Sequence, residues 1–367
     1  MAYPILTTTM IIAAVQTGQI IPADTTPTAR QTIGRAIGAI LQADATGVRD
    51  LLAHIPANEL NEKDVRFRTC AMARLTGSEA GDAAGSQPYR DSAFAERFLA
   101  AYRSYWRESV ANPESRAKAE RQLAVRLTEL LGRPRLTDMD AVEPVLAAAL
   151  AKHGLHSLEG RTGKLRELML WSRQAERTET VRLPEGLNAT RVVYLDGFLS
   201  QGWGSDLTCN RSGSGGWTKS DGLYVVVPAY KSLTDENFRV NFLAHESQHF
   251  ADRRRFPNLD SWQLEYRAKL VELAYAVETS NKVLQRFIDS QGDDPADAHS
   301  FANKKVLNVL EAKLGLSSAS NFFDVPISAR QQAALAELTA DSLRLENKKE
   351  VMPPSRESRS YLFPSSK

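Results

Sequence analysis

An α+β fold is predicted by three features of the sequence. Residues 28–153 carry apolar side chains at helical spacing, and from residue 154 short β-branched or bulky apolar runs separated by turn signals take over. The strongest of those runs, residues 222–230 (GLYVVVPAY), leads directly into a second helix-forming stretch. A helical domain over 28–153 is therefore expected ahead of a second domain over 154–347, in which a small sheet packs on a helix. The 367 residues are enough for two cores.

The first 23 residues contain no charged side chain, and their apolar run from Met10 to Val15 is too short and too interrupted by threonine to span a bilayer. Ile21-Pro22-Ala23 resembles a signal-cleavage site, although no positively charged segment precedes it. Residues 1–27 thus have two readings, a secretory signal or a disordered or packed terminus, and the first favours a periplasmic or secreted protein. Ile33, Ile37, Ile40 and Leu41 make one helix face, and Val48, Leu51 and Leu52 begin another after the break at Ala45-Thr46-Gly47. Residues 77–88, rich in Gly, Ala and Ser, read as a loop. Helices over 91–110 and 113–131 follow, broken at Asn112-Pro113 and ended by Gly132, with another over 141–152. Phe94, Phe98, Tyr102, Tyr105 and Trp106 recur at three and four, which suits a packed helix face or a ligand groove.

Strands are expected at 168–171, 178–183 and 191–195, with a turn at Pro184-Glu185-Gly186. Pro228 places the run 222–230 at a sheet edge. Gly202-Trp203-Gly204 and residues 212–217 lack the lysine and helix of a phosphate-binding loop, leaving a flap or a tight connection with buried tryptophans. Cys70 and Cys209 either bridge outside the cell or are separate small buried residues. A formal charge of +2, no basic tail and no zinc-finger spacing give no indication of a nucleic-acid partner. Oligomeric state is not legible.

His245-Glu246-Ser247-Gln248-His249 is an HExxH motif. Side chains four apart share a helix face, so His245 and His249 can hold one metal ion with Glu246 beside it. Zinc takes neutral imidazoles, keeps a position for water and lowers that water's pKa, and Glu246 is then the general base. Thr234-Asp235-Glu236 caps this helix, and Pro257 ends it near Phe256. Arg253, Arg254 and Arg255 suit its C-terminus, while Asp252 either orients a ligand histidine or pairs with an arginine. Asp260, with Gln263 three residues on, caps a second, antiparallel helix that runs on to Ser290. A third ligand belongs on that helix, and Glu265 is well placed.

In these residues the chain resembles the gluzincin branch of zinc metallopeptidases, over roughly residues 190–300. In that branch a downstream helix supplies a glutamate ligand, often followed three residues on by a small residue, as Ala268 follows Glu265 here. The spacing from His249 is shorter than in thermolysin-like enzymes, and Glu272, on nearly the same face, competes for the role. The metzincin extension is absent. The resemblance implies a zincin-like catalytic domain, a Zn2+ cofactor and a peptide or protein substrate. It also implies an oxyanion-stabilising His or Tyr, for which His299 is the candidate ahead of Tyr224, Tyr230 and Tyr266. A non-catalytic interaction module on a zincin scaffold is the alternative, and the intact Glu246 argues against it. His54, His153 and His156 have no ligand company. The chain is expected to close with a helix over 328–345 and a disordered tail from residue 348.

Overall fold

The computed structural model describes residues 24–76, 92–133, 136–219 and 221–351, and the fold is α+β. The signal-or-terminus reading of the first 23 residues and the expected loop at 77–88 lie outside the described residues. Two compact units are formed, one from residues 1–172 with 198–213 and one from 173–197 with 214–367.

The described part of the first unit begins with the helices α1 (Pro27–Leu41), α2 (Val48–Ala53), α3 (Glu62–Leu75), α4 (Ser92–Ala111), α5 (Arg116–Leu130) and α6 (Met139–Lys152). Thr26 caps α1 by accepting from the Ala29 amide, with Pro27 in the first turn where no amide hydrogen is needed. Their apolar faces share one core. The aromatic stripe of α4 is a packed face: Phe98, Tyr102, Tyr105 and Trp106 are buried, and Trp106 Nε1 donates to the Arg166 carbonyl at 2.8 Å. β1 (His156–Leu158) pairs with the first residues of the long strand β4 (Met169–Leu183), and between them β2 (Arg161–Thr162) and β3 (Leu165–Arg166) form a small ribbon. Cys70 of α3 and Cys209 form a disulfide.

Glu167 is the notable buried acid of this unit. Its Oε1 accepts from the amides of Leu168 (3.0 Å) and Trp203 (3.1 Å), and burial nevertheless raises its pKa from 4.5 to about 7. A raised carboxyl pKa means that the folded state holds its proton more tightly than the unfolded chain. The stability it contributes is present below pH 4.5 and is lost as pH rises through 7, by about 3 kcal/mol. Glu167→Gln keeps the acceptor and removes the charge. Its melting temperature, relative to the parent's, should climb between pH 5 and 8; parallel curves would count against the burial argument.

In the second unit β4 turns at Pro184-Glu185 into β5 (Gly186–Gln201), so the three short strands read from the sequence are parts of two long ones. Helix α7 (Gly202–Leu207), where a loop was expected, belongs to the first unit and buries Trp203. β6 (Gly216–Lys219) and β7 (Gly222–Val226) pair antiparallel, and β7 runs parallel to β5 with Val192 opposite Leu223. The order in this unit is β4-β5-β7-β6. This corrects the expected edge position of 222–230: β7 lies inside the sheet, Pro228 sits in the 3₁₀ turn after it, and β6 is the edge. Pro228 thereby escapes the ladder without needing an open edge.

Val181, Leu183, Val192, Tyr194, Leu223 and Val225 share a core with Phe238, Phe242 and Leu243 of the helical segment that follows. That segment consists of α8 (Glu236–Phe238), a π-helical stretch (Arg239–Ala244) and α9 (His245–Arg255). Then come α10 (Ser261–Tyr275), α11 (Ser280–Asp289), α12 (Ala298–Leu314) and α13 (Ile327–Val351). The expected continuous helix to Ser290 is broken because the Glu236 carboxylate accepts from the amides of Val277, Glu278 and Thr279 and starts α11 anew. The closing helix runs to Val351, past the expected start of the tail; residues 352–367 lie outside the described ones. Among the described residues no helix is long and apolar enough to cross a membrane.

Gly216 lets β6 reach its place. A Cβ there would stand 2.3 Å from the Tyr224 carbonyl oxygen and 2.5 Å from the Phe242 ring, neither of which can withdraw cheaply. Gly216→Ala should therefore destabilise the second unit by about 1–3 kcal/mol in denaturant unfolding. A change below about 0.5 kcal/mol would show that β6 is not held so closely.

Candidate metal centre

The Asp235 carboxylate accepts from the Phe238 amide at 2.9 Å and opens the helical segment where the sequence places its cap. The π-helical stretch then ends immediately before His245. A π turn takes in more residues than an α turn, so it resets the direction in which the following side chains emerge. Nothing in the hydrophobic pattern announces it.

His245 and His249 are 7% and 5% exposed. Their Nε2 atoms are 3.1 Å apart, too close for both to carry a hydrogen toward the other. Glu265, from α10, completes the cluster: Oε1 is 3.3 Å from His249 Nε2 and Oε2 is 3.5 Å from His245 Nε2. Donor atoms bound to zinc at about 2.0–2.1 Å in a tetrahedron stand about 3.3–3.4 Å apart. The 3.1 Å between the imidazole nitrogens is close to such an edge, each nitrogen has one Glu265 oxygen at a similar distance, and one donor atom from each of the three residues lies within 4.8 Å of the others. Two imidazoles and a carboxylate are donors of the type zinc accepts. Among the described residues this is the group of acids, histidines and cysteines close enough to hold an ion.

Glu272, the competitor for the third ligand position, instead receives His245 Nδ1 at 2.6 Å and pairs with Arg286. It is 1% exposed. A carboxylate on Nδ1 fixes the tautomer that leaves the Nε2 lone pair free for an ion. Burial by itself would lower the His245 pKa, but Glu272 and Glu265 outweigh it and raise it to about 10. Burial lowers that of His249, against the pull of Glu265. Glu265 is held well below the carboxylate range, since its histidine neighbours overcome the upward push of burial.

Glu246 is half-buried and accepts a hydrogen bond from Thr218 Oγ1 of the edge strand β6. Tyr230 has its pKa pushed up by burial and then by the charge of Glu246. His299, in the first turn of α12, has a side chain 71% exposed and its Nδ1 2.8 Å from Glu265 Oε2. It is brought to the rim of the cluster. Tyr266 donates to Glu337 and exposed Asp221 takes the Tyr224 hydroxyl, so both tyrosines are engaged elsewhere. Asp252 takes the arginine reading: Arg267, fully buried, pairs with it at 2.9 Å and also with Glu185 and Asp341. Lys269 Nζ, 3.6 Å from Glu265 Oε2, was not singled out from the sequence, although its i+4 spacing would have shown it. Thr218 had no such signal, because its partner is 28 residues away.

The reading of this cluster rests on its own side chains: no protein-family model, curated protein or solved structure matches the chain.

Proposed function

We propose that the second unit is a zincin-like domain and that the protein is a zinc-dependent peptidase, with His245, His249 and Glu265 as metal ligands and Glu246 as general base. The observation that supports this is the cluster of two imidazole nitrogens 3.1 Å apart, one with a Glu265 oxygen at 3.3 Å and the other with the second Glu265 oxygen at 3.5 Å, beside another carboxylate, Glu246, next to His245 in the same helix. Bound zinc would supply an acidified water and a Lewis acid for a carbonyl oxygen. Glu246 takes the proton of the attacking water and passes it to the leaving amine. Thr218 steadies that carboxylate, and Glu272 holds His245 in the ligating tautomer. His299 of α12, with Nδ1 2.8 Å from Glu265 Oε2, is the group assigned to stabilise a developing oxyanion, ahead of Tyr230, whose hydroxyl feels the charge of Glu246.

A peptide or protein substrate fits the open edge of β6. Its main chain can pair with an extended segment while Thr218 of the same strand touches Glu246. The Cys70–Cys209 disulfide supports a periplasmic or secreted location, where such bonds persist.

Elemental analysis tests the metal assignment. Purification in zinc-buffered solution should leave about one zinc per chain, and less than about a tenth of an equivalent would sink the reading. Cleavage of a mixed peptide library should accompany the zinc. A zinc-loaded protein that cleaves nothing is the outcome expected of a non-catalytic interaction module.

A further inference from the structure

The second unit has another open sheet edge, on the far side from β6. β1 pairs with β4 only through Met169–Trp171, and among the described residues no strand or main-chain hydrogen bond covers the outer edge of β4 over residues 175–182. An unpaired edge of this length is a template for another extended chain. Beside it runs a cleft of about 760 Å³ between β4 and the helical segment. Val181, Tyr194, Phe238 and Leu243 contribute its apolar part.

The charge of this cleft is one-sided. Arg177 and Arg182 of β4 and Arg239 of the π-helical stretch line it, all exposed; among the described residues none forms an ion pair, and Arg177 lies over the Tyr194 ring, 5.8 Å from its centroid. The single acidic residue of the lining, Glu179, is engaged by the Tyr194 hydroxyl at 2.7 Å. Arginines without a carboxylate partner on both walls favour a ligand that brings carboxylates from two directions, as alternate side chains of an extended chain do. Neither residues 1–23 nor residues 352–367 have the composition of such a ligand. Residues 1–23 carry no charge, and residues 352–367 hold two arginines and a lysine against one glutamate.

We propose that the outer edge of β4 and the arginine-lined cleft beside it form a docking site for an acidic, extended peptide segment of a partner protein, which binds by adding a strand to β4. Main-chain pairing along 175–182 supplies the alignment, and Arg177, Arg182 and Arg239 select acidic side chains. The site is separate from the metal cluster. Glu246 meets β6, whereas Val240, Leu243 and Ala244 of the same helical segment face this cleft.

Fluorescence anisotropy with a labelled peptide of about ten residues alternating Glu and Val tests the proposal on the full chain. Glu246→Gln protein is used so that hydrolysis does not interfere, and binding here is independent of whether the metal site is catalytic. The Glu/Val peptide should bind, more weakly as salt is raised. Reversal of all three arginines to Glu should weaken it at least about tenfold, with an unchanged melting temperature because the side chains are exposed. Methylating alternate peptide amides should weaken it similarly if strand pairing is formed. Equal binding of a Lys/Val peptide, indifference to the arginine reversals, indifference to amide methylation in both registers, or no binding tighter than about 1 mM overturns the proposal. So does concentration-dependent dimerisation that the reversals abolish, which would give the edge to a second copy of the chain.

Discussion

Replacing Glu246 by Gln should cut peptide hydrolysis by about a hundredfold or more while zinc content and melting temperature stay near the parental values. The amide keeps the size of the side chain and an oxygen that can accept from Thr218 Oγ1, but it cannot take a proton from water. Neither histidine is touched, and Glu246 is only half-buried, so no cavity or unpaired buried charge is created. The measurement compares kcat, bound zinc and thermal unfolding of the two proteins purified in parallel. Full activity in a zinc-loaded Glu246→Gln protein would falsify the general-base role. Loss of activity together with zinc would instead show that the side chain supports the site's structure.

Glu265→Ala should weaken zinc binding more severely than Glu272→Ala. Removing Glu265 takes away the oxygens 3.3 and 3.5 Å from the two Nε2 atoms and leaves a two-imidazole site. Removing Glu272 leaves all three donors in place but frees His245 Nδ1 and strips Arg286 of its partner, changes expected to cost about 10- to 100-fold in affinity. Competition against a chelator of known affinity ranks the two variants. The reverse order would make Glu272 the ligand and Glu265 its support. Both variants need a folding control, because each removes a negative charge that balances a buried histidine.

How much of this site was legible follows from how far apart its parts lie in the chain. His245 and His249 are one helical turn apart, and the Asp235 cap, the stop at Pro257 and the Asp260–Gln263 capping box are all local, so sequence spacing sufficed for them. Glu265 and Glu272 differ by seven residues and share a face of α10, so periodicity could name both as candidates but could not divide the work between them. That division depends on how α9 and α10 pack, which places Glu265 against the Nε2 atoms and Glu272 against Nδ1.

Taken alone, the sequence determined the α+β class, the helical character of residues 28–153, the existence of β7 before the motif helix, and the spacing that sets two imidazoles beside a neighbouring carboxylate. These depend on periodicity and capping, which act over a few residues. Only the tertiary structure decided that β6 rather than β7 is the sheet edge, that a π-helical stretch precedes His245, that Glu236 interrupts the helix after Tyr275, and that Arg267 takes Asp252. The sheet edge, the Glu236 contacts and the Arg267–Asp252 pair are each a competition between partners well apart in the chain. Local preference is nearly neutral there, and the outcome is set by which buried donor or acceptor would otherwise go unpaired.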